Sequence, residues 1–266
     1  MFEILQYDFI QNALIAGILI SIAAGIIGTL VVVNKITFLT GGIAHSAYGG
    51  IGIAIFLGIP VLFGATIFAV LTAIIIAIIT LKNRSRIDAI IGMMWASGMA
   101  IGIIFVDLTS GYNVDLMSYL FGSIIAVSSE DIIYMTILDI FIIAIVVYFY
   151  KEILSVSYDS EFASLRCINV KFFYTLILIL SALCVVAAIK AVGLILVIAL
   201  LTIPTYLAET FATKLSSMMI ISSILATMFT ISGLVVSYFY DISSGASIIM
   251  VAVVALGVVK LIKYKK

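Results

Sequence analysis

Asn12-Ala-Leu-Ile-Ala-Gly-Ile-Leu-Ile-Ser-Ile-Ala-Ala-Gly-Ile-Ile-Gly-Thr-Leu-Val-Val-Val33 carries no charged residue, and a run of roughly 20 apolar residues is what an α-helix needs to cross the hydrocarbon core of a bilayer. Runs of the same kind recur along the chain. Bounded by polar residues, they cover 43–58, 61–81, 88–106, 131–150, 170–189, 192–208, 216–239 and 246–262. Together with 12–33 they predict an all-α, polytopic membrane bundle of about nine spans, within a range of about 8–10. Composition agrees: 65% of the 266 residues are hydrophobic and 10% charged, where a soluble domain carries about 25% charged residues. A formal net charge of zero argues against a nucleic-acid partner and leaves the lipid bilayer as the surrounding phase. Cys167 and Cys184 fit neither a disulfide framework nor a zinc knuckle. Residues 1–10 lack a basic n-region, so the first run is expected to stay in the membrane. There is no tandem repeat or low-complexity linker, and 1–266 reads as a single domain.

Charge placement orients the bundle. If Lys35 is cytoplasmic and the spans alternate, Lys82, Arg84, Arg86, Lys151, Arg166, Lys214, Lys260, Lys263, Lys265 and Lys266 fall on that side, with Lys171 at its boundary. Only Lys190 falls on the other, among Glu3, Asp8, Asp107, Asp115, Glu130, Asp131 and Asp241. The positive-inside bias then puts the N-terminus outside and the C-terminus inside. Three stretches look irregular. The short, glycine-rich 43–58 suggests a broken or half helix. Residues 116–127 are too few to cross twice and too apolar for an exposed loop, which predicts a short helix or re-entrant segment buried against protein. Residues 151–169 suit an amphipathic element on the inner surface, in touch with a partner.

The single histidine, His45, sits in Phe38-Leu-Thr-Gly-Gly-Ile-Ala-His-Ser-Ala-Tyr-Gly-Gly-Ile-Gly-Ile-Ala54. Gly42, Ser46, Gly50 and Ala54 step along one helical face, and Gly41, His45, Gly49 and Gly52 along its neighbour; such faces let backbones approach closely in lipid. Two readings stay open. In one, the stretch is a packing surface with His45 hydrogen-bonded to a neighbouring carbonyl; in the other, His45 lines a pathway and touches the transported species, because polar groups at membrane depth face cavities or partners. A second small-residue face runs through Gly92, Ala96 and Ala100 beside Met93, Met94 and Met99; methionine can ligate soft metals such as Cu(I), but a Met stripe at helical spacing reads as gap-filling core. Asp139 lies inside a span and is a functional candidate. Asp88 suits a helix N-terminus. Pro204 is expected to kink its helix, and Glu209-Thr-Phe-Ala-Thr-Lys214 after it is either a force-receiving cytoplasmic helix or a simple loop. The sequence contains no phosphate-binding P-loop, no His-Glu-x-x-His and no Gly-x-Ser-x-Gly, so an enzyme is not expected.

Six segments in order carry a resemblance over nearly the whole chain: Gly41–Gly52, Asp88–Gly92, Leu120–Val127, Asp159–Ala163, Val192–Pro204 and Ser237–Ala246. In them the chain resembles the membrane permeases of the ABC-3 family, which import zinc or manganese. The resemblance implies a type II ABC importer-like fold, in a prokaryotic cell membrane, and a transmembrane permease domain that forms the translocation pathway as a homodimer with a second copy of itself. It also implies two cytosolic ABC ATPase subunits, an extracytoplasmic metal-binding protein, no permanently bound cofactor, and Zn2+ or Mn2+ as the transported ion. It assigns ATPase coupling first to Ala208, Glu209, Thr210, Phe211 and Lys214, then to Asp159 and Glu161. Many family members carry an aspartate four residues before the motif histidine; here that position is Gly41. His45 would then act with its copy from the second protomer, and imidazole-rich coordination leans to zinc. Asp139 and Asp115 are the candidates to supply the missing carboxylate. The competing expectations are a permease for a metal chelate or other small cargo, and a stand-alone secondary transporter, which usually carries paired repeats.

Overall fold

The computed structural model describes residues 8–82, 87–109 and 116–264. Among them lie twelve α-helices and no strand: α1 (Asp8–Val33), α2 (Thr37–Leu57), α3 (Val61–Lys82), α4 (Ile87–Asp107), α5 (Leu116–Phe121), α6 (Ser129–Tyr148), α7 (Tyr150–Tyr158), α8 (Ser160–Leu165), α9 (Val170–Val192), α10 (Val197–Glu209), α11 (Leu215–Tyr240) and α12 (Ser244–Tyr264), with a 3-10 turn at Ile124–Ala126. Eight of these helices are long and apolar enough to cross a bilayer. The chain is an all-α, multi-pass membrane bundle. α1 and α9 are largely buried at its centre, while α4, α6 and α12 turn most of their surface outward.

Hydrogen bonds sort the helix ends into two sets. At one end, the Asn12 side-chain amide near the start of α1 donates to Val127 O (3.5 Å) and Ser129 Oγ (3.4 Å). There too, Ser123 N donates to Lys190 O (3.0 Å) near the end of α9, and Ile124 N to Ser244 Oγ (3.4 Å) at the start of α12. At the opposite end, the Asn34 amide after α1 donates to Ser157 Oγ of α7 (2.9 Å), and Ser216 N in α11 donates to Tyr150 OH of α7 (3.1 Å). α9 therefore ends on one side and α11 starts on the other, so the chain between them must cross.

That crossing corrects the simple reading of 192–208 as a ninth full span. Only Val197–Glu209 is helical, about 20 Å long at the usual helical rise, against a hydrocarbon core of about 30 Å. The remaining depth is covered by the turn at residues 193–196, in which Gly193 and Leu194 are buried and Ile195 is exposed, and whose backbone groups need partners in the absence of water. The end of α5 supplies them: Leu194 N donates to Tyr119 O (3.1 Å) and Ile195 N to Leu120 O (3.3 Å). Two glycines make this contact possible. Gly122 (φ 73°) and Gly193 (φ 87°) both occupy the left-handed half of backbone space. A Cβ on Gly193 would lie 2.4 Å from the Phe121 carbonyl carbon, and one on Gly122 would lie 2.3 Å from Gly193 N. The expected short segment at 116–127 is thus present as α5 and the 3-10 turn, but among its described side chains only Ile124 and Val127 are buried, while Phe121 and Ile125 are exposed.

The expected break within 43–58 is absent: α2 runs unbroken for 21 residues and is the most buried span. Glycine costs a helix up to about 1 kcal/mol per residue relative to alanine, but here it admits two neighbours at backbone distance. A Cβ on Gly52 would lie 2.2 Å from Gly102 O of α4, and one on Gly50 would lie 2.4 Å from Gly64 O of α3. The helix stops at Gly58, which caps it in the αL conformation (φ 69°), and Pro60 precedes the first turn of α3, where a missing N–H costs nothing. At α6, Ser128 and Asp131 form a capping box. The amphipathic stretch after α6 is present as α7 and α8, with Ile153, Val156 and Ala163 buried and Asp159, Glu161 and Arg166 exposed.

Candidate functional site

α2 packs on α4 along one face and on α3 along another. The small-residue line splits accordingly: Gly42 and Ser46 meet α4, while Gly50 and Ala54 meet α3. The Ser46 hydroxyl lies 2.8 Å from Gly42 O and 3.0 Å from Met94 O, tying the two helices together. On α4 the packing residues are Ile91, Gly98 and Gly102. The face expected through Gly92, Ala96 and Ala100 is instead exposed, with open space around Gly92.

This packing buries His45 to 6% exposure. Its imidazole stacks face to face on the indole of Trp95, with centroids 3.7 Å apart and planes 9° from parallel. The Trp95 Nε1–H donates in turn to Met99 Sδ at 3.1 Å, one turn along α4. His45 Nδ1 is buried and has no hydrogen-bond partner, so the expected bond from His45 to a neighbouring carbonyl is not made at that atom. Ring nitrogens bind metal through in-plane lone pairs, and the stack on Trp95 covers a ring face and leaves the edge untouched. One turn earlier, a Cβ on Gly41 would lie 2.7 Å from Ile198 Cδ1 of α10. The volume beside Gly41 is therefore closed by an apolar methyl group.

Asp139 lies at a different interface. On α6 it shares the inward face with Met135, Ile142 and Val146, packed against α1 and α9. It is 2% exposed and neither carboxylate oxygen has a hydrogen-bond partner. The structure does not bring Asp139 and His45 into one site, and Asp115 lies outside the described residues. No cluster of three metal-ligating side chains occurs among the described residues.

The residues assigned to coupling lie at the end of the bundle that also holds Asn34 and Tyr150. α10 continues through Pro204 to Glu209, and Phe211 N and Ala212 N both close back on Ala208 O (3.0 and 2.9 Å). Residues 210–214 form a turn, with no separate helix. Glu209, Thr210, Phe211 and Lys214 are exposed, whereas Ala208 is fully buried and can act only through packing. Asp159 caps α8 by accepting from Phe162 N (2.9 Å), and Glu161 is exposed beside it.

At the opposite end, an ion pair joins Lys190 of α9 to Asp131 of α6. It lines a cleft of about 640 Å³ with Tyr119, Glu130 and Tyr134. The signal for this pair was Lys190 itself, a lone base on the acidic side of the charge map.

Comparison with known proteins places this architecture. The model of the ABC 3 transport family matches residues 6–263. An uncharacterised membrane protein of Synechocystis is 43% identical over 255 residues, covering 96% of this chain and 91% of that relative. The manganese transport system membrane protein MntC of Listeria monocytogenes is 33% identical over 251 residues, covering 94% of this chain and 89% of the relative. Among solved structures, PsaBC from Streptococcus pneumoniae in complex with Fab superposes with a TM-score of 0.87 at 30% identity, over 95% of this chain and 91% of that chain. An inward-facing ABC transporter assigned to the metal-chelate type shares the fold, with a TM-score of 0.68 at 17% identity over 96% of this chain and 86% of its own.

Proposed function

This chain belongs to the ABC 3 transport family, and we propose that it is the transmembrane permease of an importer for a divalent metal ion, with His45 on the translocation pathway. Two copies form the pathway, cytosolic ABC ATPases dock on the end that carries Glu209–Lys214 and Asp159–Glu161, and an extracytoplasmic metal-binding protein delivers the ion to the other end. The N-terminus lies outside and the C-terminus inside. ATP hydrolysis belongs to the ATPase partners.

One observation carries the reading: the single histidine is buried in the most buried span and its Nδ1 has no hydrogen-bond partner. A buried polar group without a bond costs roughly 1–3 kcal/mol, which a passing ligand can recover. Transport also requires that binding be weak enough for release, and a sparse ligand set meets that need. The cargo follows from the donor chemistry. Imidazole without a carboxylate at Gly41 favours a borderline ion such as zinc. Manganese is the second reading, supported by the names of the Listeria relatives. The test is uptake by proteoliposomes that hold the permease with its ATPase and binding-protein partners. ATP-dependent zinc entry that excess manganese fails to displace supports the zinc reading. The reverse preference establishes manganese, and uptake independent of ATP refutes the importer.

A further inference from the structure

Trp95 is the one tryptophan of the chain and His45 its one histidine, and they are stacked on each other. The contact fixes the plane of the imidazole, because a ring held 3.7 Å from a parallel indole cannot tilt without losing the overlap. It does so without using either ring nitrogen. A histidine that binds metal normally has its ring oriented by a hydrogen bond from the second nitrogen to a carboxylate or carbonyl. Here Nδ1 has no such partner, and Gly41, one turn away, has no side chain to offer one.

The indole is itself held. Its Nε1–H is committed to Met99 Sδ at 3.1 Å, and Ser46, next to His45, bonds the carbonyl of Met94, next to Trp95. Met99, Trp95 and His45 thus form a relay in which each group orients the next, and the stack itself engages neither ring nitrogen of the imidazole. Stacked aromatic pairs are favoured beyond the area they bury, so the contact selects one ring orientation over its alternatives.

We propose that Trp95 is a positioning residue for metal binding, holding the His45 imidazole by stacking where a carboxylate or carbonyl would otherwise hold it by hydrogen bond. The role rests on the placement of His45 in the metal pathway. Loss of a partner that orients a metal-binding histidine usually weakens binding about 10–100-fold. Trp95→Ala should therefore raise the zinc concentration for half-maximal uptake by about that factor, with the maximal rate largely kept. Trp95→Phe, which can still stack, should recover most of the loss. A residue that only fills space would lower the amount of assembled transporter and leave the half-saturating concentration unchanged.

The assay is zinc-chloride dependence of ATP-driven uptake for wild type, Trp95→Ala, Trp95→Phe and His45→Ala. Tryptophan emission of the detergent-purified wild-type complex is followed over the same zinc range. The expected result is the split just described, with emission that shifts over the range that saturates uptake. His45→Ala, inactive, should show no shift. If His45→Ala transports zinc normally, both the pathway reading and this role fail. If His45→Ala is inactive while Trp95→Ala keeps the wild-type half-saturation, this role alone fails. Should Trp95→Ala not assemble, the wild-type titration decides: emission that stays constant through saturation overturns the proposal.

Discussion

Gly193→Ala tests the structure where it departs most from a simple helical bundle. Gly193 sits at φ 87° and ψ 158°, a region used almost only by glycine and costing other residues of order 1–3 kcal/mol. The new Cβ would also lie 2.4 Å from the Phe121 carbonyl carbon and 2.5 Å from both Gly122 N and Leu120 O. These are backbone atoms, so no side-chain rotation relieves the clash, and overpacking of this kind adds about 1–3 kcal/mol. The sum, roughly 2–6 kcal/mol, corresponds to a fall in melting temperature of about 5–20 °C for a chain of this size. Cys184 is buried and Cys167 exposed. In a Cys167→Ser background, the rate at which a thiol-reactive dye reaches Cys184 on heating reports unfolding directly. Gly92→Ala is the control, since its Cβ meets nothing within 4 Å and alanine is the better helix former. Equal melting of the two variants would refute the backbone-to-backbone contact between the end of α5 and the turn after α9.

Three other outcomes follow from particular residues. Asp139→Leu should raise the melting temperature, because it removes a buried carboxylate that makes no hydrogen bond, and such groups are costly; a lower melting temperature would mean that Asp139 has a stabilising partner. Cys167, exposed after α8, should be labelled by a membrane-impermeant maleimide only when the cytoplasmic face is opened. Labelling in intact cells would reverse the proposed orientation. A photo-crosslinker at Thr210, exposed at the end of α10, should capture the ATPase in the assembled complex, and its failure there would move the coupling surface elsewhere.

Most of the membrane architecture was legible in the chain because the bilayer imposes one simple demand, a long apolar run, and 12–33, 61–81 and 170–189 (charged only at Lys171, near its start) meet it plainly. Residues 116–127 were readable for the same reason, being too apolar for water and too short to span twice. What failed were inferences that depend on a neighbour. The glycines of α2 look helix-breaking in isolation, yet Gly52 and Gly50 are placed for Gly102 and Gly64 on two other helices. On α4 the small residues at 92, 96 and 100 have the right period, and Gly98 and Gly102 do the packing. Period alone cannot say which of two small-residue faces meets a partner. The turn before α10 hid inside an apolar run, since a turn and a helix at membrane depth can have the same composition; Gly193 was the one local hint. His45 stood out by being single. Trp95 did not, because a stack between α2 and α4 leaves no pattern in either segment.

Whether His45 handles the ion is read from ATP-driven metal uptake by His45→Ala, measured in proteoliposomes where the permease is shown to remain assembled with its ATPase. Placement of His45 on the pathway predicts uptake at the level of vesicles without ATP, with the packed helices α2 and α4 still folded. Wild-type uptake by that variant would contradict it and leave His45 as part of the packing between α2 and α4.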